Sequence, residues 1–173
     1  DSDYTLTRAI GHWRTRGHRV VPEWQPVGDD ERRRLLDDFA AAHGPGLGLD
    51  ADVVELLADT LVDFGEGYLH GGVLAWSPGE VERFMLDWVQ RKVLLDDADA
   101  RALPAVLHAW VGFALNRSGL APEHVTPVQD AVHEWTDEYL ELLDDPSAAG
   151  PAKALLTELI ARGVDLDDKK AVD

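Results

Sequence analysis

The sequence predicts an all-α protein, a compact irregular or orthogonal bundle of five to seven helices around one central apolar helix. Three observations carry this prediction. Apolar residues recur at three- and four-residue spacing through most of the 173-residue chain. Capping residues and helix-opening prolines stand where those periodic stretches begin. No stretch alternates for long enough to build a sheet. Val73-Leu74-Ala75-Trp76 is the one rival, and it is too short to do so alone.

Residues 1–28 read as an N-terminal arm and residues 29–173 as the helical domain. In the arm, Leu6, Ile10 and Trp13 recur at helical spacing, and Gly17 can end that short helix in a left-handed cap. Val20 to Val27 contains Pro22 and Pro26. Proline lacks a backbone donor and biases its predecessor to extended backbone, so this stretch is a linker anchored by Trp24.

Asp29 or Asp30 caps the first helix of the body, which runs through Leu35, Leu36 and Phe39 and is expected to stop at Gly44. Asp50 caps the second, whose apolar face is Val54, Leu57, Leu61 and Phe64. Ser77-Pro78-Gly79-Glu80 is the strongest local signal. It combines an N-cap serine, proline at the first helical position and a glutamate placed to close a capping box. The helix that follows should bury Val81, Phe84, Met85, Trp88 and Val89. Pro104 is expected to open the central helix, whose apolar positions through Leu115 cover most of its circumference. Pro122 or Pro127 opens the next, with Val128, Val132, Trp135, Tyr139 and Leu142 on one face. Gly150-Pro151 restarts the chain into Leu155, Leu156, Leu159 and Ile160.

Composition excludes several classes of function. The chain has no cysteine, so it holds no disulfide, thiol nucleophile or Cys-ligated metal. A formal net charge of -17 argues against nucleic acid and against anionic membrane surfaces. No apolar stretch is long enough to span a bilayer. The absence of a signal-peptide pattern and of cysteine suits a cytoplasmic setting. The charge is uneven. Residues 1–34 hold seven arginines against six acids, whereas residues 35–173 hold nine basic against 27 acidic residues. The chain starts at Asp1 and ends in what reads as the opening turn of a helix, so it is expected to be part of a longer protein.

Two stretches between Trp76 and Leu115 are distinctive: Trp-Ser-Pro-Gly-Glu-Val-Glu-Arg-Phe-Met-Leu-Asp-Trp-Val-Gln-Arg-Lys-Val, and Leu-Pro-Ala-Val-Leu-His-Ala-Trp-Val-Gly-Phe-Ala-Leu. This text resembles a group of helical, functionally uncharacterised actinobacterial proteins, over about residues 24–165. Its motifs are caps and core positions. The resemblance therefore implies an all-α fold in a bacterial cytoplasm and carries over no site residue.

Catalytic motifs are missing: there is no Gly-x-Ser-x-Gly, no phosphate-binding glycine loop and no His-x-x-x-His pair. Neither a cofactor nor a metal is expected. Three residues stand as candidates for chemistry. His108 and Asn116 share a narrow strip of the central helix with Arg101, Ala105 and Gly112, where they would line a small pocket. The other reading, which weighs more, is that Ala105 and Gly112 let a neighbouring helix approach closely and His108 is a hydrogen-bonded core residue. Lys92 falls on the apolar face beside Trp88 and Met85, where a desolvated amine would be reactive and a snorkelling one would not.

The clearest anomaly is acidic. No basic residue occurs between Arg117 and Lys153. Asp130, Glu134, Asp137, Glu138 and Glu141 lie opposite the apolar face of their helix. Such a run is either a solvated surface or a binding face for a basic protein. Two functions follow: an interaction or regulatory module using this face, or an enzyme with a pocket around His108 and Asn116.

Overall fold

The structure is a computed structural model, described here for residues 27–162. The arm residues Leu6, Ile10, Trp13 and Trp24 lie outside the described residues, as does the chain after residue 162. Among the described residues the protein is all-α and has no strand. Its helices are α1 (Asp29–Leu47), α2 (Ala51–Tyr68), α3 (Pro78–Arg83), α4 (Val89–Lys92), α5 (Asp97–Arg117), α6 (Pro122–Asp144) and α7 (Pro151–Ala161). A π-helical turn, Phe84–Trp88, joins α3 to α4, so these two run on as one rod.

Side-chain caps open two of these helices; Gly28, not Asp29 or Asp30, is the N-cap of α1, and Asp50 stands at the N-cap of α2 without a side-chain hydrogen bond. Ser77 accepts the Glu80 backbone N–H at 3.3 Å, as its position predicts. The reciprocal half of the capping box is not among the hydrogen bonds of the described residues, and Glu80 Oε2 is buried without a hydrogen bond, 4.0 Å from Arg83. Asp96 accepts the Asp99 N–H at 2.8 Å and opens α5 seven residues before Pro104. Helix α1 continues past Gly44 and through the exposed Pro45 to Leu47. Gly48, at φ 65°, then supplies the left-handed cap.

Pro104 thus lies inside α5, not at its start, and the packing shows how this is tolerated. Proline has no N–H to give to the carbonyl four residues back, which is that of Ala100. The Tyr139 hydroxyl of α6 donates to that same Ala100 carbonyl at 2.6 Å, in a buried site. A side chain from the neighbouring helix replaces the bond that the proline removes.

The π-turn has a comparable consequence. It inserts one residue into the helical repeat and rotates everything after it by about 100°. Gln90 turns inward, is buried, and donates to the Met85 carbonyl at 3.3 Å. Lys92 turns out to solvent instead of lying beside Met85 on the apolar face.

Helix α5 packs against α1, α2 and α6, and it buries more residues than any other element. Trp110 sits fully buried, 5.1 Å from Phe39 between ring centroids. A second aromatic group joins Phe64, Tyr68, Trp76, Phe84 and Trp88, where α2 meets the π-turn. Gly65 lets the 69–77 connection fold onto α2, since a β-carbon there would lie 2.9 Å from Val73 Cα.

Candidate functional site

Helix α6 presents two faces of opposite character. Val125, Val128, Ala131, Val132 and Tyr139 are buried against the body. Asp130, Glu134, Asp137, Glu138 and Glu141 are all exposed. At 3.6 residues per turn these five carboxylates fall within about 100° of arc. Among the described residues, none of the five has a lysine or arginine within ion-pair distance. Asp144, one turn beyond, differs: Arg101 of α5 reaches it at 2.6 Å while also holding Asp97 at 2.9 Å. The acidic strip therefore stops where α5 supplies a cation.

At the inner edge of this strip two histidines meet. His108 of α5 and His133 of α6 have ring centroids 4.6 Å apart. Burial lowers the His108 pKa below the ordinary value, the His133 charge lowers it further, and Asp130 opposes both. Beside them Gln129 donates to the His108 carbonyl at 3.2 Å. Gly112 makes room for it, because a β-carbon there would come within 2.6 Å of Gln129 Nε2. This glycine therefore admits a neighbouring side chain and leaves no open pocket at that point.

The three residues considered for chemistry do not come together. His108 is half-buried against His133, Asn116 is exposed two turns further along α5, and Lys92 is exposed on another helix. Two shallow depressions, of about 260 and 200 Å³, are lined by other residues. No cluster of three His, Asp or Glu side chains could hold a metal among the described residues. No described helix is long and apolar enough to cross a membrane.

A second charged site escaped the sequence reading. Arg32 of α1 lies 2.6 Å from Asp59, 2.7 Å from Asp63 and 3.6 Å from Glu66 on α2. Arg33 reaches Glu55 at 2.9 Å. The signal was present, since Glu55, Asp59, Asp63 and Glu66 recur at three- and four-residue spacing along one stripe of α2. It becomes readable only once α1 is known to lie against that stripe.

Comparisons of the chain with known protein families, with curated proteins and with solved structures found no match.

Proposed function

We propose that this protein is an interaction or regulatory module whose α6 face docks a basic segment of a partner protein. One observation carries the reading: five exposed carboxylates on one helix face have no cationic partner among the described residues. Like charges four residues apart cost about 0.2–0.5 kcal/mol per pair in a helix. Asp130–Glu134, Glu134–Glu138 and Asp137–Glu141 each have that spacing. A helix shaped only for stability would not gather them, and local conflicts of this kind concentrate at functional surfaces. The enzyme alternative lacks a convergent geometry, since His108, Asn116 and Lys92 do not share a cavity.

The test is a titration of the full chain with an arginine- and lysine-rich peptide, followed residue by residue by NMR. Salt-dependent shifts centred on residues 130–141, abolished by Glu138→Lys with Glu141→Lys, are expected. Shifts spread evenly over the acidic surface, or unaffected by the two reversals, would remove the α6 face as the binding site.

A further inference from the structure

Two imidazoles meet across the α5–α6 contact. His108 and His133 have ring centroids 4.6 Å apart and ring planes inclined at 45°. His108 is half-buried and His133 exposed, so water reaches the pair from the α6 side. Among the described residues neither ring makes a hydrogen bond or has a carboxylate within ion-pair distance. The ring nitrogens therefore serve no bond of the described fold.

Their spacing is that of two ligands on one ion. An imidazole nitrogen binds a divalent transition metal at about 2.0–2.1 Å, which places the ion about 3.2 Å from the ring centre. Two such rings at right angles about the ion have centres about 4.5 Å apart, and at the tetrahedral angle about 5.2 Å. The observed 4.6 Å matches the right angle. That is the geometry of tetragonal and octahedral ions such as Ni²⁺ and Cu²⁺, and not of tetrahedral Zn²⁺. Each nitrogen lone pair lies in its ring plane. Parallel stacked rings could not aim two of them at one point, whereas planes inclined at 45° intersect.

The fold holds the pair at this separation. Gln129, one turn before His133, donates to the His108 carbonyl at 3.2 Å, in the space that Gly112 leaves. Tyr139, after His133, donates to the Ala100 carbonyl at 2.6 Å. Helices α5 and α6 are thus fixed in register on both sides of His133, and a preorganised pair avoids much of the ordering cost of binding. Asp130 and Asp137 flank His133 one turn before and after it on α6. They add a local negative field to that of a chain of net charge -17, which draws cations to this edge.

We infer that His108 and His133 form a two-histidine site for a divalent transition ion of right-angled coordination, with water in the remaining positions. Two protein ligands are fewer than a closed metal centre uses, so the ion exchanges with solvent. Bound, it clips α5 to α6. The inference stands apart from the α6 docking reading.

Isothermal titration of the full chain with NiCl₂ tests it, at about pH 7.5, above the ordinary histidine value. Wild type is compared with His108→Asn, His133→Asn and the double variant. Each single substitution should weaken nickel binding about tenfold or more, and the double should be little weaker than either single, because one imidazole alone no longer chelates. NiCl₂ should also raise the melting temperature of the wild type and not that of the variants, since only the folded chain brings the two rings together. His133 is exposed, so its replacement spares the core, and metal-free melts verify this. Equal nickel affinity in wild type and His133→Asn would overturn the inference. So would additive losses, which would mean that the two histidines bind ions separately, or a wild type that takes up no nickel.

Discussion

The α1–α2 seam and the outer face of α6 are both rich in carboxylates, and they treat them in opposite ways. On α2, Glu55, Asp59, Asp63 and Glu66 each find a guanidinium from α1. On α6, five carboxylates point to solvent with no such partner among the described residues. The seam uses charge to fasten two helices. Helix α6 is fastened from its other side, by apolar packing and by neutral hydrogen bonds from Tyr139 to the Ala100 carbonyl and from Gln129 to the His108 carbonyl, with one ion pair, Arg101–Asp144, at its end. Acidic composition is common to both regions, so composition alone does not tell a brace from an open surface. The position of the nearest cation does.

The largest effect should come from the inner fastening of α6. Tyr139→Phe keeps the ring and leaves the buried Ala100 carbonyl without a donor, which should cost about 2 kcal/mol in urea unfolding. Because the bond is neutral, that cost should be the same at low and high NaCl. In the same background Pro104→Ala restores a backbone N–H to that carbonyl. The two substitutions should then couple by about 1 kcal/mol in a double-mutant cycle. Additive losses would show that the hydroxyl is not standing in for the missing N–H.

Next in size is the seam. Arg32 has a side chain 20% exposed, and its partners are more open to water, so the ion pairs are worth less than buried ones. Arg32→Ala removes the bonds and leaves Asp59, Asp63 and Glu66 facing one another. A loss of about 1–2 kcal/mol is expected, shrinking as NaCl screens the stranded carboxylates. A loss that stays the same at all salt concentrations would mean that Arg32 contributes by the packing of its stem.

The outer face of α6 should respond with the opposite sign. Glu138→Lys and Glu141→Lys should each stabilise the protein, by about 0.2–0.5 kcal/mol, through relief of like-charge pairs. Added NaCl should raise the melting temperature of the wild type more than that of the doubly reversed variant. If either reversal destabilises, these carboxylates are already paired. The cations would then be those of the arm, Arg8, Arg14, Arg16 or Arg19, and the α6 face would cease to be a partner surface.

The difference between these regions also marks what the sequence could and could not disclose. Caps are local, so Ser77 was readable from a few residues, as was a proline start for α6, left between Pro122 and Pro127 until the structure placed it at Pro122. The acidic strip was readable because helical periodicity alone places it opposite Val128, Val132 and Tyr139. Relations between helices were not readable. Pro104 looks like a helix start until Tyr139 supplies the missing donor from 35 residues away in sequence. Lys92 looks buried until the π-turn shifts the phase of α4. The Arg32 cluster and the His108–His133 contact needed the packing of α1 on α2 and of α5 on α6. A helical repeat specifies which face turns inward but not which neighbour meets it.

The smallest expected effect lies where the two regimes touch. His108 stands beside the acidic strip, and as a histidine it can change charge close to neutral pH. Its folded pKa lies below the ordinary histidine value, because burial and the His133 charge disfavour the imidazolium more than Asp130 favours it. The unfolded chain therefore binds the proton first as pH falls. Stability is whole above the ordinary value of 6.5 and declines as pH drops through it toward the folded pKa. His108→Asn should flatten that decline. His133→Asn should lessen it by removing the second cation. Asp130→Asn should steepen it, since the carboxylate is the only one of the named neighbours that holds the proton on. Thermal melts at several pH values between about 5 and 8 separate these cases. If Asp130→Asn leaves the slope unchanged, Asp130 is as solvent-screened as the rest of the strip. If the slope steepens, Asp130 acts on a cation across the α5–α6 contact as Asp59 and Asp63 do across the seam, and the open face begins at Glu134.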